Sequence, residues 1–317
     1  VSLNGKLECL LATLIGQSVP ADCGPLWRLL AAFHCYSAQT FMGLSVARLT
    51  VLCLNKLLTL AQDWEHRWLG EPHLCYLLNL CGSRDVVVRA SALQLLSGLS
   101  RSVRGAGTVL QLSPALFDCV LRVVVDHSEA SLVREHAALL VTNIVKHSSS
   151  KEFVVIAQKN NLYQAFRDSV SLATLSNPST HTDATSGMLF THPRFVMAGC
   201  WLVNNLMASA ADDTLRLVVS SGLVDALCRL LMDLERLDDC VHVSMYAAVC
   251  RLLSHCVSGC ESDQLQEVLH PLLCLLDPAY LVQDREIKGL WQQVLRLLSV
   301  ALPRAEAQLV LTQAAVS

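Results

Sequence analysis

The run His192-Pro193-Arg194-Phe195-Val196-Met197-Ala198-Gly199-Cys200-Trp201-Leu202-Val203-Asn204-Asn205-Leu206 decides how this chain folds, together with Ala211-Asp212-Asp213-Thr214-Leu215-Arg216-Leu217-Val218-Val219-Ser220-Ser221-Gly222-Leu223-Val224-Asp225-Ala226-Leu227-Cys228-Arg229-Leu230-Leu231. Pro193 suits the first turn of a helix, where an N–H has no intrahelical partner to lose. Phe195, Ala198, Gly199, Leu202 and Leu206 then follow at i, i+3, i+4, i+7 and i+11, the spacing of one apolar helix face. Asp212 and Asp213 open a second helix, because carboxylates are stabilised at its positive end. Gly222 stops that helix where the backbone must turn left-handed, and a third helix starts at Leu223.

The order of long helix, short helix, turn residue and medium helix recurs along the chain. Residues 88–99 align without gaps on residues 133–144, 45 positions later, and the same frame reaches Phe195 after a further 62. It returns near Val243 and Ile287 after steps in the mid-forties. A second marker agrees: Asn161-Leu162 stands 61 positions before Gly222-Leu223, and Asn is the usual substitute for Gly in a left-handed helix stop. In this register the spacing predicts helices over 4–17, 25–36, 39–62, 72–80, 84–103, two pieces of 108–125 broken near Pro114, 131–146, 152–160 and 162–175. Further helices are expected over 193–209, 214–221, 223–236, 240–257, 263–270, 271–276 and 282–301.

This pattern resembles the armadillo repeat family, most closely in Trp201-Leu202-Val203-Asn204-Asn205-Leu206 and Ser221-Gly222-Leu223-Val224. The resemblance implies an all-α, right-handed α-solenoid of about seven armadillo/HEAT-like repeats, with residues 1–317 as a single array. The unit with the longer step carries its extra residues at 176–192, a Ser/Thr-rich stretch with too little apolar surface to offset ordering, so a mobile loop is expected there. Two readings of that loop stand: an insertion without a role, since long surface loops cost little, and a phosphorylation-controlled or partner-binding segment. The start at Val1 and the end at Ser317 suggest a segment of a longer protein.

Composition fits buried helices. Hydrophobic residues make up 53% and charged residues 16%, below the roughly 25% charged of average soluble domains, so most helices must be covered on several sides. Residues 29–47 are uncharged and long enough to span a bilayer, but His34, Tyr36, Ser37, Gln39 and Thr40 would lack partners in lipid, and no membrane span is expected. The 14 cysteines contain no C-x-x-C pair and mostly sit beside Leu or Val, which reads as small apolar residues in a reducing, cytoplasmic setting. Net charge is −3 and basic residues do not cluster, so nucleic acid is not an expected partner.

No motif for catalysis emerges. The chain lacks G-x-S-x-G, a phosphate loop and His-Glu-x-x-His, and Gly105-Ala106-Gly107 lacks the strand and third glycine of a dinucleotide fingerprint. The carboxylate pairs Asp212-Asp213 and Asp238-Asp239 fall at helix starts, where capping and the helix dipole account for them. Cys250, His255, Cys256 and Cys260 gather near one helix end with His242 upstream, yet Cys250 and His255 point to different faces, so a buried thiol cluster is favoured over zinc. The chain is expected to be no enzyme and to hold no cofactor or metal.

Binding chemistry has one candidate place. At 100° per residue, Arg194, Trp201 and Asn205 share a side of the helix away from the Phe195 face, with Trp201 and Asn205 roughly 6 Å apart along the axis. In armadillo proteins that hold extended peptides a Trp and an Asn at this spacing line the concave surface, so the resemblance implies the same role here. The amide offers a donor and an acceptor to a partner's main chain, and the indole packs on aliphatic stems. Asn143 occupies the Asn place one unit earlier, whereas the Trp place there is Leu139, so the ladder is incomplete. The alternative is Trp201 as a packing residue and Asn205 satisfied by a neighbouring loop. The expected partner is a protein or extended peptide segment on the concave face, within a larger assembly. The degenerate, Leu- and Cys-rich units further resemble the rotatin family of large centriolar and basal-body proteins, which implies centriole assembly, cilium formation and a centrosomal location. A peptide-binding transport adaptor of the importin kind and a self-associating structural spacer stand as alternatives.

Overall fold

The computed structural model describes residues 71–148, 150–175, 193–232, 240–257, 289–290 and 292–301. The helices expected over 4–17, 25–36, 39–62, 263–270 and 271–276, the apolar stretch 29–47, the loop 176–192 and Asp238-Asp239 lie outside the described residues. Among the described residues all regular structure is helical. In chain order the helices are α1 (Glu71–Leu80), α2 (Val86–Leu99), α3 (Val103–Leu112), α4 (Leu116–Val125), α5 (Ser131–Ser148), α6 (Lys151–Lys159), α7 (Leu162–Leu175), α8 (Pro193–Ser209), α9 (Ala211–Ser220), α10 (Leu223–Met232) and α11 (Cys240–Cys256). Residues 292–301 are helical as well.

The helices fall into two compact units, one holding α1 to α3, α4 as far as Val123 and α5 from Leu132, the other holding α6 to α11 and residues 292–301. In the first unit α1, α2 and α3 pack on one another. Asp85 caps α2 by accepting the Val88 N–H at 3.1 Å. The expected helix over 84–103 is shorter than its apolar pattern, because two local devices end it. The Ser100 hydroxyl donates back to the Leu96 carbonyl at 2.8 Å, and Ser102 starts α3 by accepting the Gly105 N–H. Gly105 lies so close to Leu99 that a Cβ on it would fall 1.8 Å from the Leu99 carbonyl oxygen, so this glycine serves a helix corner.

The second unit shows the repeat directly. α6, α7 and α8 form a short, medium and long set, and α9, α10 and α11 form the next. Like packs on like: α6 against α9, α7 against α10, and α8 against α11. Each short helix stops in the same way. Asn161 has φ 54° and Gly222 φ 71°, as their shared place in the repeat predicts. Asn161 N–H donates to Gln158 and Gly222 N–H to Val219, while the carbonyls of Asn161 and Gly222 accept from Ala165 and Ala226 in the following helices. Arg167 of α7 also donates to the Ser221 carbonyl at 3.1 Å, tying one repeat to the stop of the next. α9 begins without a side-chain cap, since its N-cap is Ala210; Asp212 and Asp213 therefore act through the helix dipole alone.

A polar ladder on the long helices

The long helix α8 is buried along Phe195, Ala198, Gly199, Leu202 and Leu206, the face that spacing predicted. Its other side carries Arg194, Trp201 and Asn205: Arg194 is exposed, Asn205 half-buried, and Trp201 keeps 37% of its surface in solvent. These three candidate residues therefore share one side of one helix. Asn143 belongs to α5 in the first unit, where its Nδ2 donates to the Ser97 carbonyl at 2.9 Å and to the Ser97 hydroxyl at 3.2 Å. Its amide donors are thus engaged with the preceding long helix α2, as internal satisfaction of a half-buried amide requires.

Sequence reasoning placed His255 only in a thiol cluster and did not single out Asn204 or Arg296, the residues it joins across helices of the second unit. His255 of α11 places Nδ1 2.8 Å from Asn204 Oδ1 on α8, and Arg296 Nη2 lies 3.3 Å from His255 Nε2. A guanidinium only donates, so Nε2 must be the bare, accepting nitrogen. Nδ1 then carries the hydrogen and donates to Asn204, which fixes the neutral tautomer. Burial, then the charges of Arg296 and Arg251, hold the imidazole pKa below its usual value, in agreement with that tautomer. Asn204, His255 and Arg296 form a ladder across three successive long helical segments. The buried Asn204 Nδ2 has no hydrogen-bond partner among the described residues.

On the same two helices, α8 and α11, Cys200, Cys250 and Cys256 are buried. Burial raises the Cys200 pKa, with Cys256 and Cys250 adding to it, and pushes Cys250 up to about 12, so Cys200 and Cys250 stay protonated and pack as apolar groups. His255 engages both ring nitrogens elsewhere, on Asn204 and Arg296, and Cys260 lies outside the described residues. Among the described residues no single helix is long and apolar enough to cross a membrane; the bent pair α3 and α4, at 98°, passes by length and composition only.

The basic side chains bear on an expectation made above. Arg251 precedes His255 by four residues, one helical turn on the same side of α11, and Arg296 contacts that histidine. Folding therefore gathers cationic groups that the sequence scatters. The signal was present in another form: α8, α11 and residues 289–301 contain no Asp or Glu.

Similarity to solved structures decides the architecture. An engineered protein matches with a TM-score of 0.58 at 16% identity, over 87% of this chain and 98% of that one. A designed armadillo repeat protein matches with a TM-score of 0.54 at 13% identity, over 86% of this chain and 99% of that one. The chain has the armadillo-repeat fold. A second designed armadillo repeat protein, solved in complex with the peptide (KR)4, matches at a TM-score of 0.53 and 14% identity over 86% of this chain and 98% of its own. No family model matches the chain. In sequence, the armadillo-like chain is similar to rotatin of Homo sapiens, at 31% identity over 131 residues, covering 34% of this chain and 6% of that protein. Mouse rotatin is 30% identical over 131 residues. The chain spans 6% of the length of these relatives.

Proposed function

We propose that this chain is a non-catalytic protein-interaction scaffold that holds an extended partner segment along the exposed side of its long helices. The observation that carries the reading is Trp201: an indole 37% exposed on a helix whose opposite side is fully buried, with Asn205 one turn on and Arg194 two turns back. An exposed aromatic beside an amide supplies apolar contact and main-chain hydrogen bonding together. Designed armadillo proteins solved for modular peptide recognition share the fold, which supports a peptide-like occupant. The reading takes residues 1–317 as one array, with the concave face as the binding surface, Asn143 as the corresponding place one unit earlier, and the loop at 176–192 beside it. Similarity to rotatin supports a role within a larger assembly at centrioles and basal bodies, in cilium formation, with a centrosomal location in the cytoplasm.

Proximity labelling of the full-length protein in cells tests this, comparing wild type with Trp201→Leu/Asn205→Ala. Leu preserves contact at the buried base of the indole while removing its exposed ring. Loss of a defined set of labelled neighbours, with helicity and melting temperature retained, is the expected result. Unchanged labelling in the presence of a folded variant overturns the reading.

A further inference from the structure

We propose that the exposed side of α8, α11 and residues 292–301 takes an acidic, extended protein segment, gripped by Arg251 and Arg296 beside Trp201 and the Asn204–His255 contact. This deepens the scaffold reading and rests on it.

The argument is one of charge segregation. The whole chain carries a net charge of −3, yet α8, α11 and residues 292–301 bear Arg194, Arg251 and Arg296 and no carboxylate. The carboxylates among the described residues of that unit lie on other segments: Asp126 and Glu129 before α5, Glu152 on α6, Asp168 on α7, Asp212 and Asp213 on α9, and Asp225 on α10. Asp168 is paired with its neighbour Arg167. The described residues of α8, α11 and 292–301 thus carry arginine without carboxylate, which makes this side locally positive on a negative molecule and favours an occupant of opposite sign.

Local geometry adds to the charge. Arg296 reaches the face of the ladder through its contact with His255, and Arg251 stands one helical turn from the same imidazole. Both guanidiniums are on exposed residues, so their remaining donors can meet carboxylates in the paired geometry that arginine favours. Neutral His255 does not compete for the ligand's charge; it holds Arg296 in place while donating to Asn204. Packed helices lie roughly 8–10 Å apart, and an extended chain advances about 3.3 Å per residue. Acidic residues spaced about three apart therefore meet successive helices, with the intervening side chains free to contact Trp201.

The test is fluorescence anisotropy of the 317-residue chain with three probes: a labelled peptide of repeated Glu-Leu-Ser triplets, its Lys-Leu-Ser counterpart, and a single-stranded oligonucleotide. The acidic peptide is expected to bind most tightly, to weaken at about 0.5 M salt, and to lose about tenfold or more in affinity on Arg251→Glu or Arg296→Glu. Arg251 makes no hydrogen bond in the ladder, so Arg251→Glu keeps the test decisive if Arg296→Glu fails to fold. Tighter binding of the Lys peptide, lost in Trp201→Leu/Asn205→Ala, overturns the charge assignment and leaves the scaffold reading standing. Tighter binding of the oligonucleotide overturns the assignment in favour of nucleic acid. Failure of both peptides, together with unchanged proximity labelling in Trp201→Leu/Asn205→Ala, removes both readings.

Discussion

Gly199 of α8 faces the ring of Phe166 on α7 so closely that a Cβ on it would lie 2.2 Å from Phe166 Cε2. The same ring meets Phe195 edge-on, with centroids 6.2 Å apart and planes at 73°. One missing methyl group thus lets the medium helix settle against the long one and sets the aromatic pair in an arrangement that suits its quadrupoles.

Gly199→Ala puts two effects in opposition. Alanine favours a helix by about 1 kcal/mol over glycine, but forcing a methyl group into a filled core costs typically about 1–3 kcal/mol. With three ring atoms of Phe166 within 2.8 Å of the new Cβ, overpacking wins. The variant is expected to lose about 1–2 kcal/mol in urea unfolding. Phe166→Leu in the same background should recover part of that loss, and additive effects in this double-mutant cycle would disprove the contact.

Asn161 and Gly222 provide a matched pair. Both hold positive φ at the stop of the short helix, where an L side chain costs about 1–2 kcal/mol unless it is Asn or Asp. Gly222→Ala is therefore expected to destabilise by about 1 kcal/mol or more, and Gly222→Asn by clearly less. Asn161→Gly should be nearly neutral, whereas Asn161→Ala should resemble Gly222→Ala. Equal melting temperatures for Gly222→Ala and Gly222→Asn would contradict this.

These two sites mark what the sequence made legible. Periodicity of Phe195, Ala198, Gly199, Leu202 and Leu206 reported the buried side of α8, and the spacing of Asn161 and Gly222 reported the repeat, because both depend on neighbours within a turn or two. The end of α2 was not legible from its apolar run. It depends on Ser100, Ser102 and the approach of Gly105 to Leu99, devices that compete with the helix instead of patterning it. The ladder was hidden for a further reason: Asn204, His255 and Arg296 are 51 and 41 residues apart, and their meeting is set by how helices stack. Asn204, next to the Asn205 of the family pattern, is the residue that meets His255.

Asn143 allows the structural and binding roles of asparagine to be separated. Its donors bond to Ser97, mainly to the backbone carbonyl. Asn143→Ala leaves that half-buried carbonyl without this donor and is expected to cost about 1–2 kcal/mol in chemical unfolding. Ser97→Ala keeps the carbonyl bond and should cost less. If Asn143→Ala leaves the unfolding midpoint unchanged, its bonds to Ser97 contribute nothing to stability.

The His255 ladder imposes a pH dependence with a definite sign. Burial, Arg296 and Arg251 lower the folded-state pKa below the unfolded value of 6.5, so the unfolded chain binds more protons as pH falls. The stability from neutral His255 is present above about pH 6.5 and is lost as pH falls toward the folded pKa, where the imidazolium would face Arg296 and lose its acceptor nitrogen. His255→Gln cannot titrate, so it should flatten the fall in melting temperature between about pH 7 and pH 5. The chain has 11 histidines, so the informative quantity is the difference between the two pH profiles. Parallel profiles would show that His255 titrates alike in the folded and unfolded chain, and a difference that grows as pH rises would reverse the assigned sign.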